Sequence, residues 1–140
     1  MNKLLILVLI PLFSFGQSAK DYFEQANDSL TNRNPFSAID LYSIAIAIDL
    51  TYADAYLNRG IAKALIDSKI FGSTYEDKIS ACSDLYIARK IGQVDSEAAK
   101  HAQNLIDVIC NNLTQKDIDS LNINADDIYT TLKKNLNMEN

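Results

Sequence analysis

The sequence predicts an all-α protein built from antiparallel helix hairpins that repeat along the chain. Apolar residues recur at helical spacing in successive stretches, and helix-capping signals separate these stretches. The 140 residues include only two prolines and four glycines, so few positions break a helix. Six or seven helices and no strand are expected.

The first 16 residues have the pattern of a signal peptide. Lys3 supplies a positive charge, an apolar core runs from Leu4 to Phe15, and Ser14 and Gly16 are the small residues that a signal peptidase recognises. The core is shorter than the roughly 20 apolar residues of a membrane-spanning helix. We therefore expect cleavage after Gly16, export to the periplasm or out of the cell, and no stable membrane insertion afterwards. An uncleaved N-terminal anchor is the alternative.

Residues 17–140 are expected to form a single domain. Ser18 and Asp21 form a capping box that starts a first helix near residues 19–32. Asn34 and Pro35 provide the N-cap and the first position of a second helix, which ends near Leu50. This second helix is apolar nearly all round, which predicts that neighbouring elements cover several of its sides.

A sharp corner at residues 49–54 ends the second helix and starts the third. Thr51 and Asp54 have the spacing of a capping box for a helix that continues to about Lys69. An insertion, Ile70 to Thr74, follows; the sequence does not indicate its role.

The fourth helix and the C-terminal helices complete the chain. Ser73 and Glu76 start the fourth helix, which ends at Gly92. Residues 93–140 are predicted to be capping helices that cover the last apolar face of stacked repeats. Their expected positions are 95–111, 115–121 and 125–136.

Small and large residues alternate in the helices in a repeated order. The segments are Ala38-x3-Tyr42 with Ala45, Tyr56-x2-Arg59-Gly60, and Ala81-x3-Leu85-x2-Ala88. This order resembles the tetratricopeptide repeat family over about residues 19–92. Small residues let two helices approach, and a large residue fills the space between them. The resemblance implies two repeat units in residues 17–92; an ordinary helical bundle is the alternative.

The sequence departs from the family pattern at three positions. Arg59 stands at the usual Leu, Lys63 at the usual Tyr, and Leu50 at the terminal Pro. Arg59 and Lys63 lie one turn apart and form a small basic stripe. The stripe would meet an acidic partner or be neutralised by Asp67 at the next turn.

The resemblance also implies a function. In the family, the first helices of successive units line a groove that accepts an extended peptide or a partner helix. The corresponding residues here are Asp54, Leu57, Asn58, Ile61 and Leu65. The expected function is therefore non-catalytic protein binding in the cell envelope. A self-contained structural or homo-oligomeric bundle without a groove is the alternative.

Charge narrows the class of partner. The net charge is −5, and it becomes −6 once the segment that contains Lys3 is removed. An acidic protein is poorly suited to nucleic acid or to an anionic membrane surface. A protein or peptide partner is expected, and a homo-oligomer is a further possibility.

Residues that could carry catalysis or hold a cofactor are few. His101 is the single histidine, and the sequence has neither a Gly-rich phosphate loop nor a metal-binding spacing. No enzymatic activity, cofactor or metal is expected. Cys82 and Cys110 have two possible states in an exported protein, a disulfide that closes a loop of nearly thirty residues or two buried free thiols.

Overall fold

Six α-helices form the part of the chain that the structure, a computed structural model, describes: residues 16–66, 74–92 and 96–136. The helices are α1 (Ala19–Thr31), α2 (Pro35–Ile48), α3 (Ala53–Ile66), α4 (Tyr75–Ile91), α5 (Glu97–Ile109) and α6 (Gln115–Asn135). No strand occurs within these ranges, so the predicted all-α fold is confirmed. None of the helices described has the length and apolar character needed to cross a bilayer. The predicted signal peptide, except for Gly16, and most of the predicted insertion lie outside the described residues.

Side-chain caps start most of the helices, as predicted. At α1 the Asp21 N–H donates to Ser18 Oγ at 3.2 Å, and the Ser18 N–H donates back to Asp21 Oδ2 at 2.7 Å. Asn34 caps α2, with Pro35 at the first helical position. These contacts satisfy backbone N–H groups that a helix leaves without partners in its first turn.

The caps of α3 and α4 differ from the prediction. Thr51 donates its N–H and its hydroxyl to the Asp49 carboxylate, at 2.9 and 2.7 Å, and α3 begins at Ala53. The aspartate two residues upstream captures Thr51 in an Asx turn, so Thr51 does not pair with Asp54. The α4 capping box uses Thr74 and Asp77; Ser73, the predicted cap, lies outside the described residues.

The first four helices pack as two hairpins in succession. α1 packs along α2 and α3 along α4, while α2 also contacts α3. Small residues permit this packing: a Cβ atom added at Gly60 of α3 would lie 3.0–3.1 Å from Leu85 and from the carbonyl oxygen of Ala81 on α4. Tyr42 is fully buried and fills the space beside Phe23, with 5.7 Å between ring centroids. The predicted alternation of small and large residues therefore forms the helix interfaces.

The C-terminal region contains one long helix where two were predicted. α6 runs unbroken from Gln115 to Asn135, so the break expected between residues 121 and 125 does not occur. The segment contains neither glycine nor proline, and its buried residues recur at helical spacing, so one continuous apolar side packs on α4. These residues are Leu121, Ala125 and Leu132.

A disulfide joins Cys82 in α4 to Cys110 at the end of α5, with 6.0 Å between the Cα atoms. Both cysteines are buried. Close by in sequence, the Tyr75 hydroxyl at the start of α4 donates to Asp117 Oδ2 of α6 at 2.5 Å. The disulfide attaches the end of α5 to α4, and this hydrogen bond attaches the first turn of α6 to α4.

We predict that the disulfide stabilises the fold by about 3 to 4 kcal/mol. The reason is that a closed loop of 28 residues lowers the conformational entropy of the unfolded chain. Urea unfolding of the wild type with and without reductant measures this loss. The Cys82→Ala/Cys110→Ala variant is the control and should not respond to reductant. An equal free energy of unfolding for reduced and oxidised wild type would contradict the prediction.

We also predict that Asp117 makes the protein sensitive to acid. The pKa of Asp117 lies below its ordinary value of 3.8. The hydrogen bond from Thr114 is the largest cause, and the hydrogen bond from Tyr75 is the second. The carboxyl therefore stabilises the folded protein at pH values above its pKa in the unfolded chain. This stabilisation is lost as the pH falls through its lower pKa in the folded protein. Asp117→Asn should therefore lower the Tm at neutral pH and make less difference below about pH 3.

Thermal unfolding followed by circular dichroism between pH 7 and about pH 2.5 tests the role of Asp117. Asp127→Asn, a change at an exposed position of the same helix, is the matched control. A Tm difference between wild type and Asp117→Asn that does not vary with pH would disprove the link to titration.

Candidate binding surface

α3 carries the residues predicted to contact a partner. Its packed sides bury residues that contact the neighbouring helices, namely Ala55, Tyr56, Leu57, Gly60 and Ala62. Another side carries Asp54, Asn58, Ile61 and Leu65, which recur every three or four residues and therefore lie in one stripe. We call these four residues the α3 surface.

All four residues of the α3 surface are at least partly accessible to a partner. Asp54 is exposed, Ile61 is half-buried, and Leu65 is 52% exposed. Leu57, which was also predicted to contact a partner, is only 5% exposed and belongs to the core. It precedes Asn58 by one position and so points about 100° away around the helix. The predicted set is therefore corrected by removing Leu57.

Asn58 is engaged within the protein. Its Nδ2 donates to Asn27 Oδ1 of α1 at 3.0 Å, and the Tyr42 hydroxyl of α2 donates to the same oxygen at 2.6 Å. Burial raises the pKa of Tyr42, and hydrogen bonding with Asn58 partly offsets this effect. The three side chains join α1, α2 and α3. A peptide that used Asn58 would have to compete with this internal hydrogen bond.

Arg59 and Lys63 form a buried ionic network with Asp84 of α4. Arg59 donates from Nε and Nη2 to the two oxygens of Asp84 at 2.8 and 2.7 Å, and Lys63 Nζ lies 2.8 Å from Oδ2. Asp84 is 2% exposed and is the buried charged residue of the described ranges. The basic stripe is thus neutralised mainly from α4. Asp67, the neighbour predicted to do this, lies outside the described residues.

Arg59 extends the network to a third helix. Its Nη1 donates to Ser43 Oγ of α2 at 3.1 Å, and its guanidinium carbon lies 5.5 Å from the centre of the Tyr56 ring. Burial alone would lower the pKa of Arg59, but the hydrogen bonds and charge of Asp84 outweigh this effect and raise it. Arg59 is therefore a structural cation that connects α2, α3 and α4.

The role of Asp84 was not predicted from the sequence. The available signal was a carboxylate in the middle of the small and apolar stretch of α4, between Cys82 and Leu85. A charged residue at such a position needs a partner, because an unpaired buried charge is strongly unfavourable. The identity of that partner depends on how α3 packs.

His101 is exposed on α5, and its Nε2 lies 4.0 Å from Glu97 Oε2 one turn earlier. The residues that the structure describes contain no cluster of three or more His, Cys, Asp or Glu suited to a metal ion.

We predict that Asp84→Ala destabilises the fold by about 3 kcal/mol or more, since it leaves Arg59 and Lys63 partly buried without their counterion. Arg59→Leu in the same chain should recover part of that loss, with a coupling energy of about 1 to 3 kcal/mol. Urea unfolding of the two single variants and the double variant measures the coupling. Asp126→Ala, which removes the exposed pair with Lys90, is the control and should cost less than about 1 kcal/mol.

Additive effects of Asp84→Ala and Arg59→Leu would show that these two residues do not stabilise the fold as a pair.

Comparisons with protein-family models, with curated proteins and with solved structures find no match to this chain. Its functional interpretation therefore rests on the geometry of its own residues. The geometry is that of six packed helices with an accessible stripe along α3.

Proposed function

We propose that this protein is an exported, non-catalytic binding module of tetratricopeptide-like hairpins, and that a peptide or partner helix contacts the α3 surface. The observation that carries the proposal is the accessible stripe on α3. Leu65 is exposed at one end and Asp54 at the other, while the remaining sides of α3 are packed against its neighbours.

The spacing of the helices supports the repeat interpretation. α1 begins at Ala19 and α3 at Ala53, so equivalent helices start 34 residues apart. That spacing is the period of the tetratricopeptide repeat. The second helices of the two hairpins, α2 and α4, also carry the same small–large–small order of residues at their interfaces. The six residues are fully buried: Ala38, Tyr42, Ala45, Ala81, Leu85 and Ala88.

The disulfide supports export. Disulfides form and persist in oxidising compartments and are rare in the cytosol. A bond between Cys82 and Cys110 therefore agrees with the signal peptide that the sequence predicts.

The use of the buried polar side chains supports a binding role rather than a chemical one. Asp84 is held by Arg59 and Lys63, and the Tyr42 hydroxyl donates to Asn27. These groups join helices to each other, so they serve to hold the scaffold that presents the α3 surface.

The α3 surface suggests the general chemistry of its ligand. Asp54 and Leu65 are separated by 11 positions, which corresponds to about 16 Å along a helix. Ile61 and Leu65 offer apolar contact, and Asp54 offers a carboxylate. A ligand with apolar side chains at one end and a cation or hydrogen-bond donor at the other would match this arrangement.

We predict that Leu65→Asp abolishes partner binding, because it places a charge at the most exposed apolar position of α3. Affinity capture from an envelope extract, with the full chain as bait, compares the wild type with this variant. Ile123→Asp on α6 is the matched control, since Ile123 is also a large exposed apolar residue. The wild type and the control should retain the same partner, and Leu65→Asp should retain at least tenfold less.

Equal capture of that partner by all three proteins would refute the α3 surface as the site. Light scattering on the wild type tests the alternative that the protein is a homo-oligomeric bundle. A stable dimer that Leu65→Asp dissociates would show that a second copy of the chain covers α3, as in a homo-oligomeric bundle.

A further inference from the structure

α2 is apolar nearly all round, and its neighbours leave one side accessible. Ala38, Tyr42, Ala45 and Ile46 are buried against α1 and α3. As predicted, more than one side of this helix is covered, but an outward side stays accessible. The outward side consists of Asp40, Ile44, Ala47 and Ile48, and the exposed Leu50 follows the end of the helix. We call these five residues the α2 surface.

Local structure does not explain the isoleucines of the α2 surface. Ile44 and Ile48 are 40% and 51% exposed and lie one turn apart. Isoleucine is a weaker helix former than alanine, lysine or glutamate, so an exposed helical position gains nothing from it. Neighbouring large apolar residues on a surface, in contrast, are typical of sites where another molecule binds.

The hairpin of α1 and α2, which carries the α2 surface, is acidic. Between Ser18 and Leu50 the chain exposes five carboxylates but only two cations, Lys20 and Arg33. Lys20 is already paired with Glu24 at 3.6 Å. The carboxylates are Asp21, Glu24, Asp28, Asp40 and Asp49. Asp40 lies on the α2 surface itself, one turn before Ile44.

We propose that the α2 surface binds an amphipathic helix whose apolar stripe is flanked by lysine or arginine. Ile44, Ala47 and Ile48 form a ridge that an apolar helix face can pack against. Asp40 selects a flanking cation, and the net negative charge of the hairpin increases the rate of association. α2 is 14 residues long, about 21 Å, so a partner helix of similar length covers it.

Charge disfavours a second copy of this chain as the occupant. A symmetric dimer through α2 would place the same surface of both copies together. The two acidic hairpins would then lie side by side, and like charges at an interface oppose association.

The α2 surface is separate from the α3 surface, and the proposal adds a second contact to the proposed binding role. The two surfaces share no residue, so substitutions test each one separately. Loss of binding at α2 alone would leave the role of Leu65 unaffected.

The test uses a fluorescein-labelled 14-residue peptide with leucine on one helical face and lysine on the other, titrated with the full chain. A matched peptide with glutamate in place of lysine measures the contribution of charge. The lysine peptide should bind at least tenfold more tightly than the glutamate peptide. Its affinity should fall as salt rises from about 50 to 300 mM, because salt screens exposed charges.

Two variants locate the site of the lysine peptide. Ile44→Asp/Ile48→Asp should weaken binding at least tenfold, and Asp40→Asn should weaken it about two- to fivefold and reduce the salt dependence. Val108→Asp on α5, where Val108 is 70% exposed, is the control and should bind like the wild type. Circular dichroism verifies that each variant is folded.

Three outcomes would overturn the proposal. The first is equal affinity for the lysine and glutamate peptides. The second is equal affinity of the wild type and the double variant for the lysine peptide. The third is a dimer in light scattering that Ile44→Asp/Ile48→Asp dissociates, which would assign the α2 surface to a second copy of the chain.

Discussion

The pairing of one buried carboxylate, Asp84, constrains the centre of this structure. A carboxylate that is 2% exposed must be balanced by cations, so α3 has to present Arg59 and Lys63 to it. Arg59 also reaches Ser43 of α2, and three helices are therefore held in one arrangement. The network explains why α3 carries two cations one turn apart, because Arg59 and Lys63 both pair with the same carboxylate.

The C-terminal helices α5 and α6 pack against the hairpin of α3 and α4. α6 packs along α4, and Arg89 of α4 donates to Gln103 of α5 and Asn122 of α6, both at 2.8 Å. The disulfide from Cys82 adds a covalent attachment in the same region. α5 also packs on α3 and α4, so the C-terminal helices support the hairpin that carries the α3 surface.

The structure presents two separate accessible surfaces, which differ in character. The α3 surface combines one exposed leucine with a carboxylate, and its asparagine bonds to Asn27 inside the protein. The α2 surface is more apolar and lies in the acidic hairpin of residues 18–50. In both proposals the packed helices supply rigidity and the exposed side chains supply selectivity. An acidic surface with apolar contacts is suited to basic protein partners rather than to nucleic acid.

The sequence by itself determined the features that depend on residues within about four positions of one another. It correctly predicted the all-α fold, the first four helices, the caps at Ser18 and Asn34, and the accessibility of Asp54 and Leu65. Tertiary structure alone decided that Leu57 is buried, that Asn58 bonds to Asn27, and that α6 is one helix packed on α4. It also decided that Asp84 pairs with Arg59, 25 residues away. The physical reason is that a local pattern shows which residues share a side of a helix, whereas packing determines which neighbour covers that side.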